Sequence, residues 1–314
     1  MMKKISLVVP CYNEEESIPL FYQTVSKVIT SMNTPTPTVE PEYIFVDDGS
    51  SDHTLDEMKQ LHQRYPETVH YRSFSRNFGK ESALAAGLQA TTGDLVAVMD
   101  VDLQDPPELL PKMFALVEND GYDCVGTVQK ERRGQSKLRA FLSSSFYRVI
   151  NWLSDVHIEP NARDYRLMTR QYVDTVLSLP EFNRFSKGIF SWVGFKTTYL
   201  AYESQPRAAG TTHWNLRQLF AYSIEGIIDF SDAPLRLATW IGSLSFLLSI
   251  VGLIFVIVRA LTVGGAVAGW PSLVVIMLLV GGIQLFCLGI LGQYISKIYL
   301  ETKHRPKYII REEQ

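Results

Sequence analysis

Cysteine is scarce in this chain, and its placement excludes two classes of small cross-linked protein. The only cysteines are Cys11, Cys124 and Cys287, which lie far apart and form no Cys-x-x-Cys pair. This spacing indicates neither a disulfide framework nor a zinc site. The six histidines show no metal-ligand spacing either. We therefore expect the soluble part of the protein to work in reducing, cytosolic surroundings.

An excess of positive charge is also missing. The formal net charge is -3 over 314 residues, and the sequence pI is about 6.1. Binding to nucleic acid usually needs a basic surface, so we expect no nucleic-acid partner. We also expect no signal peptide, because the apolar run Ile5 to Val9 is short and is followed at once by Asn13-Glu14-Glu15-Glu16.

Long charge-free runs, by contrast, are present near the C-terminus. Residues 237–258 and 272–295 are each long enough to cross a bilayer as a helix, so we predict two transmembrane helices. A buried helical pair is the alternative, which the length and adjacency of the two runs disfavour. The connecting loop carries only Arg259, so the positive-inside rule predicts that both termini and the domain before the hairpin lie in the cytoplasm, as in a multi-pass protein of the plasma membrane. The flanking cations are Arg236, Lys297, Lys303, Arg305 and Lys307.

The first part of the chain alternates apolar strands with amphipathic helices, which predicts an α/β fold with a mostly parallel sheet. The predicted strands are Ile5 to Val9, Tyr43 to Val46, Val69 to Phe74, Leu95 to Met99 and Asp123 to Val128. The predicted helices are Glu15 to Ser31, Thr54 to Tyr65, Glu81 to Ala90 and Pro107 to Asn119.

Three of these strands end in polar turns that begin at Pro10, Asp47 and Asp100. Because ligands bind at the carboxyl ends of parallel strands, we expect the three turns to converge on one cleft. Asp100 and Asp102 are two residues apart and can present oxygens to one hard cation. Ordinary loop and helix-capping chemistry explains the residue types, but not their repetition after successive strands.

These turns carry a resemblance to a known family. Three segments resemble the signature segments of family 2 glycosyltransferases with a GT-A fold. They are Val8-Val9-Pro10-Cys11-Tyr12-Asn13-Glu14, Val46-Asp47-Asp48-Gly49-Ser50-Ser51-Asp52 and Asp100-Val101-Asp102-Leu103-Gln104-Asp105-Pro106-Pro107-Glu108. Within that family they are most similar to the polyprenyl-phosphate glycosyltransferases. The resemblance runs from Ile5 to the membrane hairpin. It implies a Rossmann-like GT-A catalytic domain followed by interfacial helices and two transmembrane helices.

The resemblance also implies an activity. We expect inverting, metal-dependent transfer of one sugar, best taken as glucose from UDP-glucose, to polyprenyl (undecaprenyl) phosphate at the cytoplasmic leaflet. The lipid-linked sugar would serve cell-envelope polysaccharide modification. Mg²⁺ or Mn²⁺ is the implied cofactor, and its implied ligands are Asp100, Asp102 and Gln104. The implied donor-binding residues are Pro10, Tyr12, Glu14, Asp47, Asp48, Asp100, Arg207 and His213.

The acceptor side is implied by further residues. Arg132, Arg133 and Arg139 match the arginines that hold the acceptor phosphate, and Asp164 matches a catalytic aspartate beside the sugar. Asp164 is open to three interpretations, which are a general base, an orienting group and an ordinary turn residue. His213 replaces the lysine usual in the family, which predicts a pH dependence of the phosphate contact.

We predict a catalytic domain over 1–212, a juxtamembrane amphipathic helix over 213–235, a hairpin over 236–296 and a cytoplasmic tail over 297–314. Residues 130–155 alternate basic and apolar side chains, as in a helix on a lipid surface, although a helix packed on the sheet fits the apolar positions as well.

We expect membrane lipids and a second copy of the chain as partners. UDP-N-acetylglucosamine and GDP-mannose are alternative donors, and a lipid-binding scaffold or flippase partner is the non-enzymatic alternative. A processive synthase is disfavoured because no Gln-x-x-Arg-Trp motif is present.

Overall fold

The computed structural model describes residues 2–34, 38–130, 148, 151, 158–203, 231–262 and 269–314. Within these ranges the strands form one sheet in the order β7-β5-β6-β4-β1-β2-β3-β8. The strands are β1 (Lys3–Cys11), β2 (Val39–Asp47), β3 (Val69–Phe74), β4 (Leu95–Val98), β5 (Cys124–Gln129), β6 (Ala162–Thr169), β7 (Thr197–Tyr202) and β8 (Ile310–Glu313). The expected α/β architecture is confirmed.

Helices cover both faces of the sheet. Among the described residues these helices are α1 (Ser17–Met32), α2 (Thr54–Arg64), α3 (Lys80–Ala90), α4 (Leu110–Asp120), α5 (Arg170–Ser178) and α6 (Ser186–Trp192). Two further helices, α7 (Ala233–Thr262) and α8 (Trp270–Thr302), follow near the C-terminus and are not buried against the sheet. The apolar side chains of α1, α2 and α4 pack against one face of the sheet, and those of α3, α5 and α6 pack against the other. On α1 the buried residues recur every three or four positions, which gives the helix one apolar face.

The sheet is mostly parallel, but three strands were not expected from the sequence. Four of the seven strand pairings among the described residues are parallel. Strand β6 runs antiparallel between β4 and β5, and β8 runs antiparallel to β3. The sequence predicts none of β6, β7 and β8. As a result of its reversed direction, β6 begins at the same sheet edge where β1, β2 and β4 end.

The two C-terminal helices agree with the predicted apolar runs. Among the described residues, α7 and α8 are the two helices long and apolar enough to cross a membrane. They lie side by side, and the Tyr294 hydroxyl of α8 donates to the carbonyl of Ser231 at 2.6 Å, just before α7 begins. After α8 the chain returns to the sheet and forms β8 at its edge.

The turn after β2 is held close to the turn after β3. Gly49 has a φ of +68°, and a Cβ at this position would lie 2.3 Å from the backbone carbonyl carbon of Arg76. Glycine is therefore required for two reasons, the positive φ and the close approach of another backbone segment. This contact brings the loop after β3 to the carboxyl ends of the parallel strands, where the predicted cleft lies.

A matched pair of substitutions separates these two reasons. Gly121, at the end of α4, has a similar φ of +64°, but nothing lies within 4 Å of its added Cβ. We expect Gly121→Ala to lower the free energy of unfolding by about 1 kcal/mol and Gly49→Ala by roughly 2–4 kcal/mol, because the backbone near Arg76 must also shift. Thermal unfolding of the full chain in detergent measures both, and equal melting temperatures would contradict the close approach.

Candidate active site

The turns after β1 and β2 are joined by hydrogen bonds. The backbone N–H of Asn13 donates to the Ser50 hydroxyl, and the Asn13 side-chain oxygen accepts from the N–H of Ser51, both at 2.9 Å. The N–H of Glu14 donates to the Thr54 hydroxyl at 2.7 Å. Asn13 adopts a φ of 55°, which asparagine tolerates better than most residues. The first two polar turns therefore form one wall of the cleft.

The predicted nucleoside-binding residues lie along this wall. Pro10 is half-buried near the end of β1, and Tyr12 is 41% exposed at the rim. Glu14 accepts a hydrogen bond from the Ser17 hydroxyl at 2.6 Å, which fixes its carboxylate at the start of α1. Tyr12 therefore presents its ring to solvent while its neighbours are held by the fold.

Asp47 and Asp48 are both buried and direct their oxygens at protein donors. Asp47 accepts from the Ser73 hydroxyl at 2.7 Å, and Asp48 accepts from the N–H groups of Phe78 and Gly79 at 2.7 and 2.9 Å. Burial raises the pKa of Asp48 to about 6, although the two N–H donors act in the opposite direction. These carboxylates connect β2 to β3 and to the loop that follows it.

The acidic turn after β4 has a strained shape. Leu103 adopts a φ of 55°, which is uncommon for a residue with a branched side chain. The turn buries Asp102, and its Oδ1 accepts from the N–H of Gln104 at 3.2 Å. Backbone strain of this kind often accompanies functional sites, because the surrounding structure must hold it in place.

Arg163 of β6 neutralises the far end of the same turn. Its Nε lies 3.2 Å from Oδ1 of the buried Asp105, and its guanidinium lies 3.9 Å from Asp100. The Tyr202 hydroxyl also donates to Asp105. The other oxygen of Asp105 is buried and has no hydrogen-bond partner in the part of the chain that the structure describes.

Strand β6 brings Asp164 opposite Asp100. The antiparallel register pairs Val98 with Arg166, and its continuation by two residues places Asp164 across from Asp100. Lys80, the first residue of α3, bridges the two carboxylates, with its Nζ 2.6 Å from one oxygen of each. Asp164 therefore lies in a strand and belongs to an ion-paired cluster, so its interpretation as a turn residue is wrong.

The cluster fixes the charge of its members. Burial alone lowers the pKa of Lys80, but Asp100 and Asp164 outweigh burial and raise it above its ordinary value. Burial alone raises the pKa of Asp164, but Lys80, together with Lys187 and Arg166, holds it well below its usual range. Asp164 is consequently a carboxylate at neutral pH and a weak proton acceptor.

The sequence predicts that the segment Arg76-Asn77-Phe78-Gly79-Lys80 helps to close the cleft, but it assigns no individual role to Lys80 or to Arg163. Lys80 follows the Arg76-Asn77-Phe78-Gly79 segment, which is an ordinary loop by composition, and Arg163 is separated from Asp105 by 58 positions. The only indication of a role for Arg163 in the sequence is that it directly precedes Asp164. The pairing of strands β4 and β6 could not be read from the sequence, because β6 itself was not predicted.

Five predicted site residues lie outside the described residues. They are the acceptor-side Arg132, Arg133 and Arg139 and the donor-side Arg207 and His213. Their roles remain predictions, as do those of the site residues that the structure describes.

The side-chain oxygens of the acidic turn suit a divalent ion that is held partly by the protein and partly by a substrate. Among the described residues, no group of three or more His, Cys, Asp or Glu side chains is arranged to hold a metal ion. Mg²⁺ is commonly held by only one or two carboxylates, with substrate phosphates and water supplying the remaining oxygens. Asp100 and Asp102 on one turn, with an unpartnered oxygen of Asp105 nearby in sequence, suit that arrangement better than an all-protein cage.

Removal of the Lys80 charge tests the electrostatics of the cluster. In Lys80→Met the buried Asp164 loses its cation, so its pKa in the folded state rises above the unfolded value and stability falls as pH rises through it. We expect a loss of about 1–3 kcal/mol at pH 8, a discounted figure because the Lys80 side chain is 40% exposed, and a smaller loss near pH 5.

Melting temperatures from pH 5 to pH 8 measure this effect. Lys80→Arg should retain most of the stability, and Lys27→Met, which removes an exposed lysine from α1, is the matched control. A loss of stability in Lys80→Met that does not change with pH would contradict the shared ion pair.

Comparisons with known proteins agree with this arrangement. The family model described as "Glycosyl transferase family 2" matches residues 6–177. The bactoprenol glucosyl transferase of Shigella phage SfV is 43% identical over 315 residues, which cover 99% of this chain and 99% of the relative. The prophage bactoprenol glucosyl transferase homolog of Escherichia coli is 42% identical over 308 residues, with 98% of each chain covered. An uncharacterized glycosyltransferase of Synechocystis is 38% identical over 312 residues, with 99% and 96% covered. The chain therefore belongs to glycosyltransferase family 2 and is a glycosyltransferase.

Proposed function

We propose that this glycosyltransferase moves a single sugar from a nucleotide sugar to polyprenyl phosphate at the cytoplasmic face of the plasma membrane. UDP-glucose is the first-choice donor and undecaprenyl phosphate the first-choice acceptor. The observation that carries the proposal is similarity over 99% of the chain, hairpin included, to a relative named bactoprenol glucosyl transferase.

The nucleoside end of the donor would bind along the wall formed by the first two turns. The exposed ring of Tyr12 is available for stacking on the base, with Pro10 and Glu14 beside it. Asp47 and Asp48 support the wall from behind, because their oxygens already accept hydrogen bonds from protein groups. Arg207 and His213 are proposed to contact the diphosphate.

The diphosphate end of the donor would meet the acidic turn. Asp102, with Asp100 and Gln104, would hold Mg²⁺ or Mn²⁺, which when bound stabilises the negative charge that develops on the leaving nucleoside diphosphate. Lys80 balances the charge of Asp100 beside this position, at 2.6 Å. The site can therefore accept a dianionic group although its own turn is acidic.

The acceptor phosphate needs little help from a base. The second pKa of a phosphate monoester is about 6, so this group is largely dianionic at neutral pH. One of its oxygens would attack the anomeric carbon, and the bond to the nucleoside diphosphate would break with its electron pair leaving on the diphosphate. Direct attack inverts the anomeric carbon. Asp164, kept ionised by Lys80, would accept a hydrogen bond from a sugar hydroxyl and orient the sugar.

The hairpin would anchor this cleft to the bilayer. The contact between Tyr294 and Ser231 holds the entry of α7 beside the last turns of α8, so both ends of the hairpin emerge on one side. Lys and Arg residues concentrate at these ends, which favours the cytoplasmic leaflet. Arg132, Arg133 and Arg139 are proposed to hold the acceptor phosphate at that surface.

A donor panel and one site variant test the activity. Purified full-length protein in nanodiscs with undecaprenyl phosphate should transfer sugar from UDP-glucose in preference to UDP-N-acetylglucosamine and GDP-mannose. EDTA should abolish transfer, and Mn²⁺ or Mg²⁺ should restore it.

We expect Asp102→Ala to lower kcat by on the order of 10²-fold or more, whereas Asp174→Ala, which changes an exposed carboxylate on α5, leaves it unchanged. Absence of transfer with every donor would favour the scaffold alternative, and undiminished transfer by Asp102→Ala would refute the metal assignment.

The low pKa of Asp164 leads to a prediction about pH. A carboxylate with a depressed pKa is ionised throughout pH 5 to 8, so it adds no inflection to the rate in that range. The acceptor phosphate, with its second pKa of about 6, should produce the acid limb. In Asp164→Asn we expect a lower kcat, a nearly unchanged donor affinity by isothermal titration calorimetry, and the same acid limb. Disappearance of that limb in the variant would show that Asp164 acts as the base.

A further inference from the structure

The end of the membrane hairpin makes a direct contact with the catalytic domain. Oε1 of Glu301, in the last turn of α8, accepts from the backbone N–H of Phe182 at 2.8 Å and from that of Asn183 at 3.4 Å. These two residues lie in the short connection between α5 and α6. A carboxylate that accepts two backbone N–H groups forms charge-assisted hydrogen bonds, which are stronger than neutral ones.

The same connection reaches the catalytic cluster at its other end. Ser186, which begins α6, donates both its N–H and its hydroxyl to Oε2 of Glu81. Glu81 follows Lys80 on α3, and Lys80 bridges Asp100 and Asp164. The Arg184 guanidinium donates to backbone carbonyls at the end of α5 and so fixes the shape of the connection. Polar contacts, joined by two short stretches of chain, therefore connect the hairpin to the site.

A second connection follows the chain itself. Seven residues separate the end of α8 from β8, and a chain of that length spans at most roughly 25 Å. Strand β8 is held by a reciprocal pair of backbone hydrogen bonds between Gln314 and Tyr71, each 3.1 Å. The Tyr308 ring stacks on Phe74 with ring centres 4.9 Å apart, and its hydroxyl lies 2.5 Å from Gln89 of α3.

We propose that the C-terminal segment, residues 301–314, positions the catalytic cleft on the membrane hairpin, and that Glu301 is its main positioning residue. The inference rests on the proposed function, because only an acceptor confined to the bilayer makes the orientation of the cleft relative to the hairpin matter. A diffusing acceptor reaches the cleft in any orientation. An embedded phosphate reaches it only at one height and tilt, so loss of a fixed geometry reduces the rate of productive encounter.

Two acceptors separate positioning from catalysis. Transfer from UDP-glucose to undecaprenyl phosphate in nanodiscs is compared with transfer to citronellyl phosphate, which is water-soluble. We expect Glu301→Ala, and a chain that lacks residues 308–314, to lower kcat/KM for the lipid acceptor by roughly tenfold or more while the rate with citronellyl phosphate changes less than about twofold. Glu301→Gln keeps an oxygen acceptor and should stay near the wild-type ratio. Arg311→Ala, at an exposed position of β8, is the matched control.

Parallel losses with both acceptors would overturn the proposal, since they indicate a structural role alone, and so would unchanged rates with both. Hydrogen exchange of the Phe182 and Asn183 amides needs no acceptor and so separates this inference from the proposed function. Faster exchange in Glu301→Ala than in Glu301→Gln supports the contact whichever acceptor the enzyme uses. Unchanged exchange in both variants overturns it.

Discussion

The ammonium group of Lys80 is the interaction on which the catalytic edge of the sheet depends. Asp100 and Asp164 face each other from neighbouring strands, where two unscreened carboxylates would repel. Lys80 lies 2.6 Å from an oxygen of each, and the pair shares its charge. Arg163 does the same for Asp105 at 3.2 Å. These cations let the acidic side chains fold together at this end of the strands without mutual repulsion.

The opposite end of the strands contains a buried carboxylate that belongs to no candidate site. The carboxylate of Glu42 is buried and accepts from Lys4 at 2.7 Å, from the hydroxyl and N–H of Thr92 at 2.6 and 3.0 Å, and from Ser6. Burial acts against ionisation, yet these donors lower the pKa of Glu42 to about 2. Glu42 is a fully satisfied structural group. Asp105, at the catalytic edge, keeps an oxygen that no group in the described chain satisfies.

The sequence predicts the parts of the fold that repeat locally and misses those made by distant pairing. Strands β1 to β5 and helices α1 to α4 follow apolar periodicity and turn residues, so their positions were predicted within a few residues. Strand β6 begins with Ala162-Arg163-Asp164, a polar stretch whose composition alone is compatible with a turn, and its charged and apolar residues do not alternate regularly. The acidic turn was predictable because its carboxylates are adjacent. The ion pair between Lys80 and Asp164 was not, because only the register between β4 and β6 brings Asp164 to Lys80.

Because the chain returns to the sheet after α8, the hairpin is not a terminal appendage. By sequence it is an appendage followed by a tail, but β7 precedes it and β8 follows it, and both strands belong to one sheet. The hairpin is therefore an insertion between two strands of the catalytic domain. An insertion anchored at both ends has fewer orientations than an appendage joined at one end, because each anchor removes rotational freedom. For a reaction between a soluble donor and an acceptor confined to a plane, the entropy cost of this orientation arises once, during folding. It does not recur in each catalytic cycle.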